Sequence, residues 1–305
     1  MTPAYYIKTY GCQMNAYDSG RMEDIFLAKG FTQASDIAAA DVVVLNTCHI
    51  REKASEKLYS EIGRIRANRK KNGETEQQMT IVTGCVAQAE GEEIIRRAPA
   101  VDVVLGPQAF QELAQVLDTM LEKGQPRSRV IRDFLAEEKF DQLPEPSRFT
   151  GISAFLTIQE GCDKFCSFCV VPYTRGAEYS RPPQDLVKEA KQLVANGARE
   201  LTLLGQNVNA YRATGPHGKQ WGLAQLIAEI AALDGVWRIR YTTSHPRDMD
   251  DDLINAHAHI PQLMPYLHLP VQSGSDAILA AMNRKHSAND YRRIITKLRD
   301  ACPDI

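Results

Sequence analysis

At 305 residues, with 44% hydrophobic and 24% charged side chains, the chain is long enough for two domains and has an ordinary globular composition, which excludes a disordered or collagen-like polymer. A formal net charge of -2 excludes a uniformly basic surface for coating nucleic acid, while leaving local patches open. No stretch reaches the ~18 consecutive apolar residues of a membrane span, and Met1 to Lys8 lacks the apolar run of a signal peptide, so no membrane partner and a cytoplasmic location are expected.

Residues 1–131 alternate short apolar runs with helix-period segments. Strands are predicted over Tyr5 to Tyr10, Asp41 to Asn46, Thr80 to Thr83 and Val101 to Leu105. Helices are predicted over Asp18 to Ala28, Glu52 to Ala67, Glu90 to Ala98 and Phe110 to Leu121. The fold class is therefore α/β, and this first domain should be a doubly wound parallel sheet. Residues 132–151 carry Pro144, Pro146 and Gly151 without sustained periodicity, which predicts a linker. From 152 to 305 a second alternation predicts strands over Ala154 to Gln159, Leu201 to Leu204, Trp237 to Thr242 and Tyr266 to Leu269. Its helices fall near Pro183 to Ala195, Leu223 to Leu233, Asp251 to His257 and Asn289 to Arg299. This order suits part of a β/α barrel.

Seven cysteines in a reducing compartment point to metal ligation or catalysis rather than to disulfides. Cys162, Cys166 and Cys169 stand at C-x3-C-x2-C spacing just after a predicted strand, so a short loop can aim three thiols at one object. A structural zinc site wants four ligands, usually as two C-x2-C pairs, and the sequence has no second pair. On a four-iron cube, three thiolates leave one iron open for an incoming molecule. A zinc or redox loop is the alternative. Cys12, Cys48 and Cys85 lie 36 and 37 residues apart, each just past the carboxyl end of a predicted strand. A parallel sheet gathers those ends on one edge, where ligands bind. Cysteine is often simply core, but three so placed, beside Gly11, Thr47 and Gly84, predict a second, auxiliary cluster.

The C-x3-C-x2-C loop, with Phe168 just before its third cysteine, resembles the signature of the radical S-adenosylmethionine superfamily. The segments Thr9-Tyr-Gly-Cys-Gln-Met-Asn15, Asn46-Thr-Cys-His-Ile-Arg-Glu-Lys-Ala54, Thr83-Gly-Cys-Val-Ala87 and Glu160-Gly-Cys-Asp-Lys-Phe-Cys-Ser-Phe-Cys-Val-Val-Pro-Tyr-Thr-Arg-Gly176 narrow the resemblance to its methylthiotransferase family. The resemblance implies two [4Fe-4S] clusters. One, on Cys162, Cys166 and Cys169, would bind S-adenosylmethionine and cleave it to a deoxyadenosyl radical; the other, on Cys12, Cys48 and Cys85, would hold the sulfur to be transferred. The implied reaction is methylthiolation of C2 of N6-isopentenyl(dimethylallyl)adenosine at position 37 of tRNA. Implied with it are an electron donor such as flavodoxin or ferredoxin, an undetermined sulfur donor and a monomeric state. Sister enzymes that act on threonylcarbamoyladenosine tRNA or ribosomal protein S12 share the cysteines but differ around Ile50-Arg-Glu-Lys-Ala54 and Val171-Pro-Tyr-Thr-Arg175. From another class, the rival is a noncatalytic metal-containing RNA-binding module.

By family position Phe168, Gln206 and Asn207 are cofactor candidates, with a plain polar turn as the alternative for Gln206 and Asn207. Ser244, and Gln272 after the next predicted strand, are cofactor contacts or solvated loop residues. Tyr173 and Arg175 either face substrate or brace the cluster loop. Residues 51–72 hold eight basic and three acidic side chains, clustering at Arg64, Arg66, Arg69, Lys70 and Lys71. They suit tRNA phosphates or a solvated helix end. His49, His268 and Cys302 lack spaced partners and are expected to be ordinary. Relatives are expected to add two more barrel units and a TRAM domain, so the chain is expected to end within the barrel, with the TRAM domain absent.

Overall fold

The computed structural model describes residues 2–49, 52–71, 78–109, 112–123, 129–131, 140 and 151–305. The chain divides into two units, one of residues 1–147 with Tyr173–Arg175 and one of residues 148–172 with 176–305. Most of the expected linker, 132–151, lies outside the described residues.

In the first unit β1 (Ala4–Tyr10), β2 (Thr32–Gln33), β3 (Val42–Thr47), β4 (Met79–Thr83), β5 (Val103–Leu105) and β6 (Arg129–Ile131) form one sheet in the order β2-β1-β3-β4-β5-β6. Every pairing is parallel. Its helices are α1 (Gln13–Ala28), α2 (Glu52–Lys71), α3 (Cys85–Glu90), α4 (Glu92–Arg97) and α5 (Leu113–Lys123). Strand side chains alternate between two cores. Val42, Val44, Ile81 and Val103 pack with Met22, Phe26, Val116 and Leu117. Val43, Leu45, Val82 and Val104 pack with Leu58, Ile62, Val86 and Ile94 on the other face. Both faces of β3 are covered, which is why Val42 to Leu45 reads as a continuous apolar run rather than an alternation.

Several elements of this unit differ from expectation. Helix α1 begins five residues earlier than Asp18, at Gln13, with Cys12 as its N-cap. The expected Glu90 to Ala98 helix is split at Gly91, whose φ of 52° is left-handed. The edge strands β2 and β6 are too short for a periodic signal.

The second unit begins with β7 (Ser153–Thr157), β8 (Gln159–Glu160), the one-turn α6 (Val171–Thr174), β9 (Tyr179–Ser180), α7 (Pro183–Ala195) and β10 (Glu200–Leu204). The hairpin β11 (Arg212–Thr214) and β12 (Gln220–Gly222) follows, then α8 (Leu223–Ala231), β13 (Arg238–Tyr241), α9 (Asp251–His259), α10 (Asp276–Ala281) and α11 (Ala288–Ala301). Strands β7, β10 and β13 pair in parallel in chain order. Leu156, Leu201, Leu203 and Ile239 bury against Leu186, Leu193, Leu226, Ile227 and Ile230.

The expected strand Tyr266 to Leu269 is not formed, and only a single bridge joins Leu263 to Ile239. Pro265 and Pro270 bracket that segment and have no N–H to give a ladder. His268 takes the role instead: its carbonyl accepts from Ser244 N at 3.3 Å and its Nδ1 from Thr243 N at 3.2 Å. No helix of the described residues is long and apolar enough to cross a membrane.

Candidate functional site

Cys12, Cys48 and Cys85 follow the carboxyl ends of β1, β3 and β4, three adjacent strands of the first sheet. The chain order reverses between β1 and β3, so Cys12 and Cys48 flank the crevice where ligands of open parallel sheets bind. The backbones converge closely. Cys48 N donates to Tyr10 O at 3.0 Å, and a Cβ on Gly11 would lie 2.5 Å from that of Cys48. Gly84, at φ 90°, opens α3 directly before Cys85; a Cβ there would sit 2.5 Å from Thr47 O and 2.6 Å from Asn46 Oδ1. Only glycine satisfies both the left-handed turn and that approach.

A buried polar lattice supports this edge. Asn15 Nδ2 donates to Asn46 Oδ1 at 2.7 Å, and Asn46 Nδ2 donates to Asn15 O at 2.8 Å and to Ser19 Oγ at 3.0 Å. The Cys12 thiol donates to Asn15 Oδ1 at 3.1 Å. Cys48 and Cys85 are buried and Cys12 is exposed. A hydrogen bond with Cys48 holds the Cys12 thiol down to about 6, and the charge of Arg175 adds to the fall. Arg175 belongs to this first unit. It is buried, and its guanidinium pairs with Asp18 at 2.7 Å. Arg175 is thus held by an ion pair, whereas Tyr173 is 70% exposed.

In the second unit, Cys162, Cys166 and Cys169 share the loop between β8 and α6. The loop is tied down at several points. Cys162 N donates to Gly176 O at 3.3 Å, and Cys169 N to Cys166 O at 2.9 Å. Gln159 is the hub: its Nε2 donates to Gly161 O at 2.8 Å while its Oε1 accepts from Gln206 N and Asn207 N at 3.0 and 3.1 Å. Gly161 N donates in turn to Gln206 Oε1 at 2.6 Å. Asp248 joins Lys164 Nζ, at 2.7 Å, to Asn207 Nδ2, at 2.8 Å. Gln206 and Asn207 are thus hydrogen-bonded into the support of the loop.

Burial pushes the Cys162 thiol up to about 11 and raises Cys169 as well. Cys166 is buried and accepts from Arg284 at 3.4 Å. Two further polar atoms are buried without a hydrogen-bond partner among the described residues, Asn207 Oδ1 past the end of β10 and Ser244 Oγ past the end of β13. Phe168 is 54% exposed, and Gln272, also exposed, has a left-handed φ of 69°. Cys302 caps α11, and its N–H serves Leu298 O. Arg64 pairs with Glu61 at 3.3 Å and Arg66 is exposed, as on a solvated helix; the side chains of Arg69, Lys70 and Lys71 lie outside those described.

Sequence reasoning missed Gln159, Asp248 and Arg284. The first is hidden in a strand, the second sits in a polar turn, and the third is in the charged run Arg284-Lys285-His286, which reads as surface. Among the described residues no three His, Cys, Asp or Glu side chains close on a single metal ion.

The model "Uncharacterized protein family UPF0004" matches residues 4–106, and that of the "Radical SAM superfamily" matches residues 156–305. The chain is 58% identical, over 98% of its own length, to a protein of Agrobacterium fabrum (strain C58 / ATCC 33970) named tRNA-2-methylthio-N(6)-dimethylallyladenosine synthase, and it spans 66% of that relative. Among solved structures it resembles the cobalamin-dependent S-adenosylmethionine radical enzyme OxsB, with a TM-score of 0.66 at 13% identity, covering 97% of this chain and 47% of that one. The radical S-adenosylmethionine methyltransferase TsrM of Kitasatospora setae gives 0.67 at 14% identity, with 99% of this chain and 68% of that one covered. At such identities the structural likeness speaks for the fold.

Proposed function

Because the chain belongs to the methylthiotransferase family of radical S-adenosylmethionine enzymes, we propose that it methylthiolates C2 of N6-isopentenyl(dimethylallyl)adenosine at position 37 of tRNA. The observation that carries this reading is the 58% identity, over 98% of the chain, to a relative named for that product. Cys162, Cys166 and Cys169 would hold one [4Fe-4S] cluster with S-adenosylmethionine at its open iron, and Cys12, Cys48 and Cys85 a second. When bound, the first cluster and its cofactor supply one-electron chemistry able to break the unactivated C2–H bond, which acid–base catalysis does not reach.

The residues present fit those groups. Each set offers three soft thiols on one short loop or one sheet edge. The unpartnered Asn207 Oδ1 and Ser244 Oγ await a polar ligand beside the second unit's strand ends, and Thr47 Oγ1 is likewise buried and unpartnered next to Cys48. The protein's own work is placement. Gln159 and Asp248 fix the cluster loop to the turn at Gln206 and Asn207, while the partial burial of Cys162 and Cys169 limits water at the thiols. A base in the single-stranded anticodon loop leaves its stack at low cost, which suits a substrate that must enter such a site. The electron would come from a donor of the flavodoxin or ferredoxin type.

Two measurements test this. Reconstituted without oxygen, the chain should bind about eight irons, and replacing Cys162, Cys166 and Cys169 by Ala should leave about four. A triple variant without iron, or a parent with one cluster, refutes the two-site assignment. Methylthio formation should appear on tRNA bearing isopentenyladenosine; preference for threonylcarbamoyladenosine tRNA or ribosomal protein S12 refutes the acceptor.

A further inference from the structure

Arg284, in the turn between α10 and α11, is a buried residue, 6% exposed. It is held there by unusual backbone, since its neighbours Asn283 and Lys285 both have left-handed φ, 55° and 53°. The turn is stitched to the cysteine loop: Ser167 N donates to Met282 O at 3.2 Å, Ser167 Oγ to Ala281 O at 3.0 Å and Asn283 Nδ2 to Phe165 O at 2.8 Å. Its NH1 then donates to Cys166 Sγ at 3.4 Å and its NH2 to Pro270 O at 3.2 Å. Nε has no partner. Among the described residues the hydrogen-bond partners of this buried cation are therefore a thiol and a carbonyl, both neutral.

A buried charge without a counter-charge is costly, and arginine does not shed its proton to escape. The cost is met if the thiol it touches is a thiolate of an anionic cluster. Resting on the proposed assignment of Cys162, Cys166 and Cys169, we propose that Arg284 is a positioning residue that serves as counter-charge to their cluster and favours its reduced form. A [4Fe-4S] core of charge +2 on three thiolates carries net charge -1, and uptake of one electron from an external reductant makes it -2. A fixed cation against a ligand sulfur stabilises the second state more than the first, and charge and hydrogen bonds at sulfur are what set such potentials.

The test uses the full chain with Cys12, Cys48 and Cys85 replaced by Ala, so that one cluster reports. Arg284→Gln keeps the bulk and a donor but removes the charge; Arg284→Lys keeps the charge. In a dithionite titration followed by electron paramagnetic resonance, Arg284→Gln should show a tenfold lower ratio of reduced to oxidised cluster at fixed potential, equal to 59 mV for one electron. Arg284→Lys should stay within threefold of the parent. Four irons in Arg284→Gln with the parental ratio overturn the counter-charge while leaving the cluster assignment intact. Loss of iron in both variants also overturns it, because the side chain then only braces the loop. Loss of iron in Arg284→Gln with retention in Arg284→Lys supports it. A parent with no iron on these three cysteines overturns the cluster assignment and the counter-charge together.

Discussion

Gly161 is the residue immediately before Cys162, and replacing it by alanine puts a methyl group where backbone already stands. Its φ of 73° costs an L side chain roughly 1–2 kcal/mol by itself. The added Cβ would lie 1.8 Å from Ala177 O, 2.4 Å from Ala177 C and 2.6 Å from Gly176 O. None of these atoms is the end of a flexible side chain. To lengthen the first contact from 1.8 Å to 3.0 Å the two backbone segments must part by about 1.2 Å. That movement strains three hydrogen bonds: Cys162 N to Gly176 O, Gly161 N to Gln206 Oε1 and Gln159 Nε2 to Gly161 O. At about 1 kcal/mol each, and with the cost of the positive φ added, the total reaches roughly 4–5 kcal/mol. The loop bearing Cys162 absorbs the displacement, so the expected result for Gly161→Ala is loss of the second unit's four irons, with a urea midpoint lower by roughly 1–2 M. Iron content and circular dichroism in urea check it. A Gly161→Ala protein with full iron and the parental midpoint would show that the loop relaxes freely, which would refute the assignment of Gly161 as a fixed support.

The opposite outcome is expected for Gly63→Ala in α2, where an added Cβ meets nothing within 4 Å: urea unfolding should show a gain of about 1 kcal/mol. Asp18→Asn strips the buried Arg175 of its charge partner and should cost about 3–5 kcal/mol, whereas Asp18→Leu combined with Arg175→Met should recover most of that in a double-mutant cycle. His257 is held down to about 4 by burial, with its Nε2 2.7 Å from the Tyr241 hydroxyl. The unfolded chain therefore binds the extra proton first, and this residue's stability contribution, intact above pH ~6.5, is lost as pH falls toward about 4. The 2.5-unit gap amounts to about 3 kcal/mol, so the unfolding free energy should drop between pH 7.5 and 4.5 and His257→Phe should flatten that slope.

Which parts of this were legible in sequence follows from the range of the forces involved. The strands that lead to Cys12, Cys48 and Cys85 were legible because β1, β3 and β4 are short runs rich in apolar residues set between helical segments. The Tyr266 to Leu269 segment has the same apolar look but sits between two prolines, and a histidine side chain replaced the missing ladder. The start of α1 was hard to see because its first turns carry polar and small residues, Gln13, Asn15 and Ala16, and Asn15 is buried in a polar lattice with Asn46. Arg284 was illegible for a related reason. Its contact with Cys166 spans 118 residues, and no local pattern announces a cation that turns inward.

The near-equal intervals between Cys12, Cys48 and Cys85 look like a repeat, yet the sheet shows that they are not one. The first interval contains α1, the edge strand β2 on the far side of β1, and β3, whereas among the described residues the second contains only α2 and β4. What the intervals share is only their end point, the carboxyl edge of the next strand to the right. Because β1, β3 and β4 are consecutive in space, and neighbouring strands stand about 4.8 Å apart, the backbones carrying the outer two cysteines are separated by roughly 10 Å. That span is too wide for three thiolates at about 2.3 Å from one zinc ion without drawing the strand ends together. It leaves room for a multinuclear cluster, with Gly84 letting the third thiol come in beneath Thr47. Sheet order rather than sequence spacing is what brings the three cysteines to one edge.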